Sequence, residues 1–182
     1  MTSTDFLVMI QAFTARRAIP ASAVRGSGNK GSTDAGRRFL ASVQLPAFAT
    51  SDVDVFSSAL DRTTDQLSDA LPAGARHWGI ARKVVNLFLR DCFYTVFLND
   101  AFHLKMAESL YELPLDSITG TNLRKCAGVS VPRWRGVKHL TAEMSRDYQK
   151  AAADEAARLG IARVHLDARW WTRGDAGGAG LA

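Results

Sequence analysis

Gly79-Ile80-Ala81-Arg82-Lys83-Val84-Val85-Asn86-Leu87-Phe88-Leu89 follows a break at Leu71-Pro72-Ala73-Gly74 and opens the most apolar stretch of the chain. Apolar residues fall on nearly every side of a helix drawn over 77–98, which predicts a central, buried element. A glycine followed by a short apolar residue lets the backbone bend sharply into that helix. The first N–H groups of a helix have no partner in their own ladder and suit a phosphate, and Arg82 adds positive charge at the same end. Lys83 is expected in the first turn. Partial desolvation and the positive helix end would both disfavour its charged form there, and an amine held that way is a nucleophile. A lysine at such a position can equally bind phosphate or extend to solvent.

Outward from this stretch the pattern stays helical. Residues 4–17 carry Phe6, Leu7, Ile10 and Phe13 at helical spacing, with Ser3 or Thr4 as a cap. Residues 25–32 are a loop of glycine, serine and charge. They are not a phosphate loop, because Lys30 precedes Gly31 and no strand leads in. Short and long helices are predicted over 36–43 and 52–71, the second with Val55, Phe56, Ala59, Leu60 and Leu67 on one side. Another is predicted over 101–111. Leu113-Pro114-Leu115 is extended, since the residue before proline avoids helical angles, and Asp116 reads as the N-cap of a helix through Lys125. Val131-Pro132-Arg133-Trp134-Arg135-Gly136 is a basic, aromatic loop. A helix over 141–159 starts at Thr141, carries Glu143 in its first turn and ends at Gly160. The segment 161–171 is read as helical although Val164, Leu166 and Ala168 alternate, because one strand has no partner. Residues 175–182 read as a frayed tail. The expectation is all-α, with about eight helices in a single domain over 1–182. Within it lie N-terminal helices and loop (1–50), a core (53–130) and C-terminal helices (131–174).

With 182 residues, 47% of them hydrophobic, the chain is long enough for a real core. A net charge of +5 and a pI near 9.6 favour an anionic partner, nucleic acid being the commonest. Cys92 and Cys126 are too few for a disulfide framework, a zinc site or an iron–sulfur cluster. They read as two buried thiols in a reducing cytoplasm. No leader or membrane span is expected, so the protein is expected in the cytoplasm, near the nucleoid if DNA is its partner.

Two segments together resemble a family. Gly79 to Leu89 is similar to the G-(I/V)-G-R-K-x-x-N-x-x-L stretch of the helix-hairpin-helix DNA glycosylases such as endonuclease III. Leu115-Asp116-Ser117 is similar to the V-D-T/S that follows it. The resemblance implies a helix-hairpin-helix glycosylase-like fold, with Gly79 as the hairpin glycine, Lys83 as the nucleophile that attacks the sugar C1′, and Asp116 as its acidic partner. Taken alone, Asp116 is equally a helix cap. The separation of the pair, 33 positions, is closer to that of the archaeal 8-oxoguanine glycosylases. In those enzymes an aspartate and a tryptophan four residues apart line the pocket for the flipped base, which implies that role for Asp167 and Trp171. Two departures stand out. The second hairpin glycine is Ala81, and Arg76-His77-Trp78 replaces Leu-Pro-Gly. The residues before about position 50 match no part of the family.

The resemblance implies a monomeric enzyme on double-stranded DNA, needing no metal or cofactor, that flips a damaged or modified base out of the duplex and excises it. Arg76, Arg82, Arg133 and Arg135 are the candidate phosphate contacts. The substrate expected from the archaeal likeness is 8-oxoguanine, with a hypermodified phage-type base as the alternative, so repair and defence both stay open. Two other readings stand beside this one: a helix-hairpin-helix DNA-binding module without catalysis, and a helical regulatory domain whose charge is incidental.

Overall fold

The computed structural model describes residues 2–19 and 31–175, with side chains through Trp170; the frayed tail expected over 175–182 lies beyond them except for Asp175, as does most of the 25–32 loop. The protein is all-α, and no strand occurs among the described residues. It divides into two compact units, Met1–Tyr111 and Glu112–Ala182, so the boundary falls inside the segment read as the core.

In the first unit, α1 (Ser3–Ala18) is capped by Thr2, one residue ahead of the expected Ser3 or Thr4. Thr2 Oγ1 accepts from Asp5 N at 3.1 Å, and Asp5 Oδ2 accepts from Thr2 N at 2.9 Å. Its buried face is Gln11, Thr14, Ala15 and Ala18, whereas Phe13 of the expected apolar face is exposed. Small residues let α1 approach α2 (Ser32–Ala41) and α4 (Trp78–Tyr94) closely. Gln11 Nε2 donates to the carbonyls of Leu40, Ala41 and Val43 and so closes the end of α2. Helix α3 (Val53–Ala70) is capped by Asp52 and buries Phe56, Leu60, Thr63, Thr64 and Leu67. Val55, expected on that face, points to solvent.

Helix α4 is the central element foreseen, buried at eleven of its seventeen positions. It stops earlier than the apolar run suggests. At Thr95 the backbone turns extended, Thr95 Oγ1 donates to Asp91 O at 2.7 Å, and Asn99 Nδ2 donates to Phe93 O at 2.7 Å. These side chains satisfy carbonyls that a continuous helix would have used. A short α5 (Val96–Phe102) follows and ends at His103, in the left-handed region at φ 52°. The helix expected over 101–111 is therefore absent, and Leu104–Ala107 form only a 3-10 turn. Tyr111 closes the unit, its ring edge-on to Phe56 at 5.3 Å and its hydroxyl donating to Leu104 O at 3.1 Å.

The second unit packs α6 (Ser117–Ala127) against α7 (Ala142–Arg158) and α8 (Leu166–Asp175). Thr141 caps α7 as expected, and Gly160, at φ 68°, ends it where a side chain would be strained. Val164 and Leu166, read as either strand or helix, lie in a 3-10 turn and at the start of α8.

Candidate catalytic residues and nucleic-acid interface

Helix α4 begins at Trp78, ahead of the glycine expected to turn the chain. The turn itself is made by Ala73–Ala75, and Gly79 and Ala81 are both buried inside the helix. The side chain of His77, the N-cap, makes no capping hydrogen bond. The first ladder bond is Ala81 N to His77 O at 3.1 Å, so the N–H groups of Trp78, Gly79 and Ile80 come before the ladder. Lys83 is thus the sixth residue of α4. It is half-buried in the second turn rather than the first, where the field of the helix end has already weakened.

Arg82 does not face outward. Its side chain is buried, with Nη1 at 2.7 Å from Asp61 Oδ1 and 3.2 Å from Thr64 Oγ1 on α3, and its guanidinium lies 5.4 Å from the Trp78 ring centre. The hydrogen bonds fasten α4 to α3, so this cation is spent on the scaffold instead of a phosphate. Arg76 is exposed and donates through Nε to Leu71 O at 3.0 Å, within the turn that leads into α4.

Asp116, on the second unit, is the N-cap that the sequence suggests. Its Oδ1 accepts from Ile118 N at 2.8 Å and Thr119 N at 3.0 Å. Thr119 Oγ1 accepts from Asp116 N at 2.8 Å and donates to Pro114 O at 2.9 Å. Oδ2 accepts no hydrogen bond among the described residues, so one oxygen orients the carboxylate and the other is uncommitted. The approach to Asp116 is held as well. Gln149 of α7 is buried, accepts from Leu113 N at 3.0 Å and donates to Leu113 O at 2.8 Å. Gln149 and Thr119 are positioning residues that the sequence reading did not name. Thr119 had a signal, since it stands three residues after a cap.

Arg133 and Arg135 are exposed on either side of Trp134. Asp167 is buried in the first turn of α8. Trp171 lies one turn further on the same helix, and its side chain is outside the described residues. Among the described residues no three His, Cys, Asp or Glu side chains gather in a way that could hold a metal ion. No described helix is long and apolar enough to cross a membrane.

No protein-family model, curated protein or solved structure matches the chain.

Proposed function

We propose that the protein is a DNA glycosylase with accompanying lyase activity, in which Lys83 attacks the sugar C1′ of a flipped nucleotide and Asp116 assists. The observation that carries the reading is Asp116: a carboxylate held by its own helix through Oδ1 with Oδ2 uncommitted, in the Leu-Asp-Ser that resembles the family's acidic motif. The all-helical fold agrees with it. So does the uncapped start of α4, whose N–H groups suit a phosphate next to Gly79.

In this scheme the Lys83 amine forms a bond to C1′ as the bond from C1′ to the base breaks, and the base leaves with the electron pair. Asp116 takes up a proton from the amine or balances the positive charge that develops on the sugar. Opening of the sugar leaves a Schiff base on Lys83, from which the 3′ phosphate can be eliminated, nicking the strand. Arg76, Arg133 and Arg135 hold phosphates, and Arg82 is assigned to the scaffold. Asp167 and Trp171 are proposed to read the flipped base, by hydrogen bonding and by stacking.

Borohydride trapping on duplexes carrying a panel of oxidised and hypermodified bases tests the scheme. Wild-type protein should give a covalent adduct on at least one substrate, and Lys83→Gln should give none while keeping its melting temperature. An adduct of equal yield with Lys83→Gln overturns the assignment. DNA binding without an adduct on any substrate favours the non-catalytic DNA-binding module.

A further inference from the structure

The sequence from Ser117 to Ala142 holds five lysines and arginines and no acidic residue. The structure gathers part of this charge. Thr121, Arg124 and Lys125 lie on one face of α6, three and four residues apart, and with Arg133 and Trp134 they line a shallow groove of about 310 Å³. Three of the four acids of α7 line a separate groove, where Asp147, Asp154 and Glu155 lie with Cys126, Lys150 and Arg158.

The loop over 131–135 is fixed at three points. Arg124 Nη1 donates to Val131 O at 2.6 Å. Tyr148 Oη donates to Pro132 O at 2.6 Å, and burial, which pushes that hydroxyl's pKa up, keeps it protonated as the donor. Trp134 packs edge-on to Tyr148 at 5.5 Å and lies directly over Gly120 of α6. A Cβ at Gly120 would come within 2.6 Å of two carbons of the Trp134 ring, so only glycine admits the indole there. With Trp134 half-buried, Arg133 and Arg135 on its two sides are exposed. Lys125, Arg133 and Arg135 form no ion pair or hydrogen bond among the described residues.

We infer that this groove is a preformed binding site for the phosphodiester backbone of DNA, with Lys125 and Arg133 as its paired cations, Arg135 beside them, and Trp134 as the wedge that holds the loop in place. The inference rests on DNA being the partner, and it is independent of the chemistry assigned to Lys83. The backbone that carries Arg133 is fixed by Arg124, Tyr148 and Gly120, and Lys125 stands on a helix, so no loop has to be ordered on binding, which suits a repeating, sequence-independent anion.

The test is the salt dependence of binding to an undamaged duplex, with polyglutamate as the competing probe. Each phosphate contact contributes about 0.9 to the slope of log affinity against log salt. Lys125→Gln with Arg133→Gln should lower the slope by about 2, so that between 50 and 200 mM salt the variant loses about tenfold less affinity than wild type. Both side chains are exposed, so the melting temperature should hold. Gly120→Ala keeps every charge but displaces Trp134, and it should weaken duplex binding with the basic residues intact. Duplex binding whose slope the double variant leaves unchanged overturns this site and leaves the glycosylase reading standing. Polyglutamate binding as strong as duplex binding overturns the choice of ligand. Failure of the wild type to bind any duplex overturns both readings.

Discussion

Replacing Gln149 with leucine separates a residue that merely fills space from one that holds the approach to Asp116. Gln149 is 4% exposed and makes both of its hydrogen bonds to the backbone of Leu113, itself fully buried. Leucine has a similar volume and no polar atoms, so Gln149→Leu leaves a buried N–H and a buried C=O without partners. Each orphaned group costs about 1–3 kcal/mol, or about 2–6 kcal/mol for the pair, with the low end applying if water enters. For a chain of this length even 2 kcal/mol lowers the melting temperature by about 4–8 °C. Gln149→Glu refines the test. The introduced carboxyl still accepts from Leu113 N–H, but once ionised it faces the Leu113 carbonyl. Burial and that carbonyl raise its pKa in the folded state above its unfolded value. The protonated form can donate to Leu113 O, so the deficit should be small in acid and grow as pH rises through the raised pKa. Thermal melts followed by circular dichroism across pH read both variants, and trapping yield at 20 °C reads Asp116. Trapping should fall by more than the unfolded fraction explains, because Leu113 leads directly to Pro114, Leu115 and Asp116. A melting temperature for Gln149→Leu within about 1 °C of wild type refutes the argument.

Asp116→Asn should keep the cap, since asparagine offers the same acceptor oxygen to Ile118 and Thr119, while activity falls on the order of a hundredfold or more. A variant that melts early yet excises normally would make Asp116 a cap alone. Arg82→Met should leave the salt slope of duplex binding unchanged, because that guanidinium is occupied by Asp61 and Thr64; a slope lowered by about 1 would return Arg82 to the phosphate contacts. Of the two cysteines expected to be buried, only Cys92 is; Cys126 is exposed, yet partial desolvation and then the Glu155 charge raise its pKa, and burial followed by the Asp91 charge raises that of Cys92 well above the usual range. Iodoacetamide followed by mass spectrometry should therefore find Cys126 modified more slowly than a free thiol at the same pH and Cys92 untouched until the protein unfolds.

The parts of this fold written in short-range chemistry were legible in the sequence. Asp116 and Thr141 cap helices because a short oxygen-bearing side chain meets the free N–H groups two or three residues on, and Gly160 ends α7 because the chain turns left-handed there. The apolar run from Ile80 to Phe93 announced a buried helix for a similarly local reason. What it could not announce was the break at Thr95, because the competing bonds come from side chains, Thr95 and Asn99, that look unremarkable within an apolar stretch. The same limit governs the candidate site. Arg82 stands in the right place in the motif to meet a phosphate, and only the position of Asp61 and Thr64, 21 and 18 residues earlier, turns it inward. Trp134 reads as part of a basic aromatic loop, and only the missing side chain at Gly120 shows that the ring packs on α6 while the arginines on either side are left outside. A motif fixes which residue types are present and at what spacing. Which of its cations remains available is decided by partners distant in sequence: Asp61 and Thr64 occupy Arg82, while Lys125 stays exposed on α6.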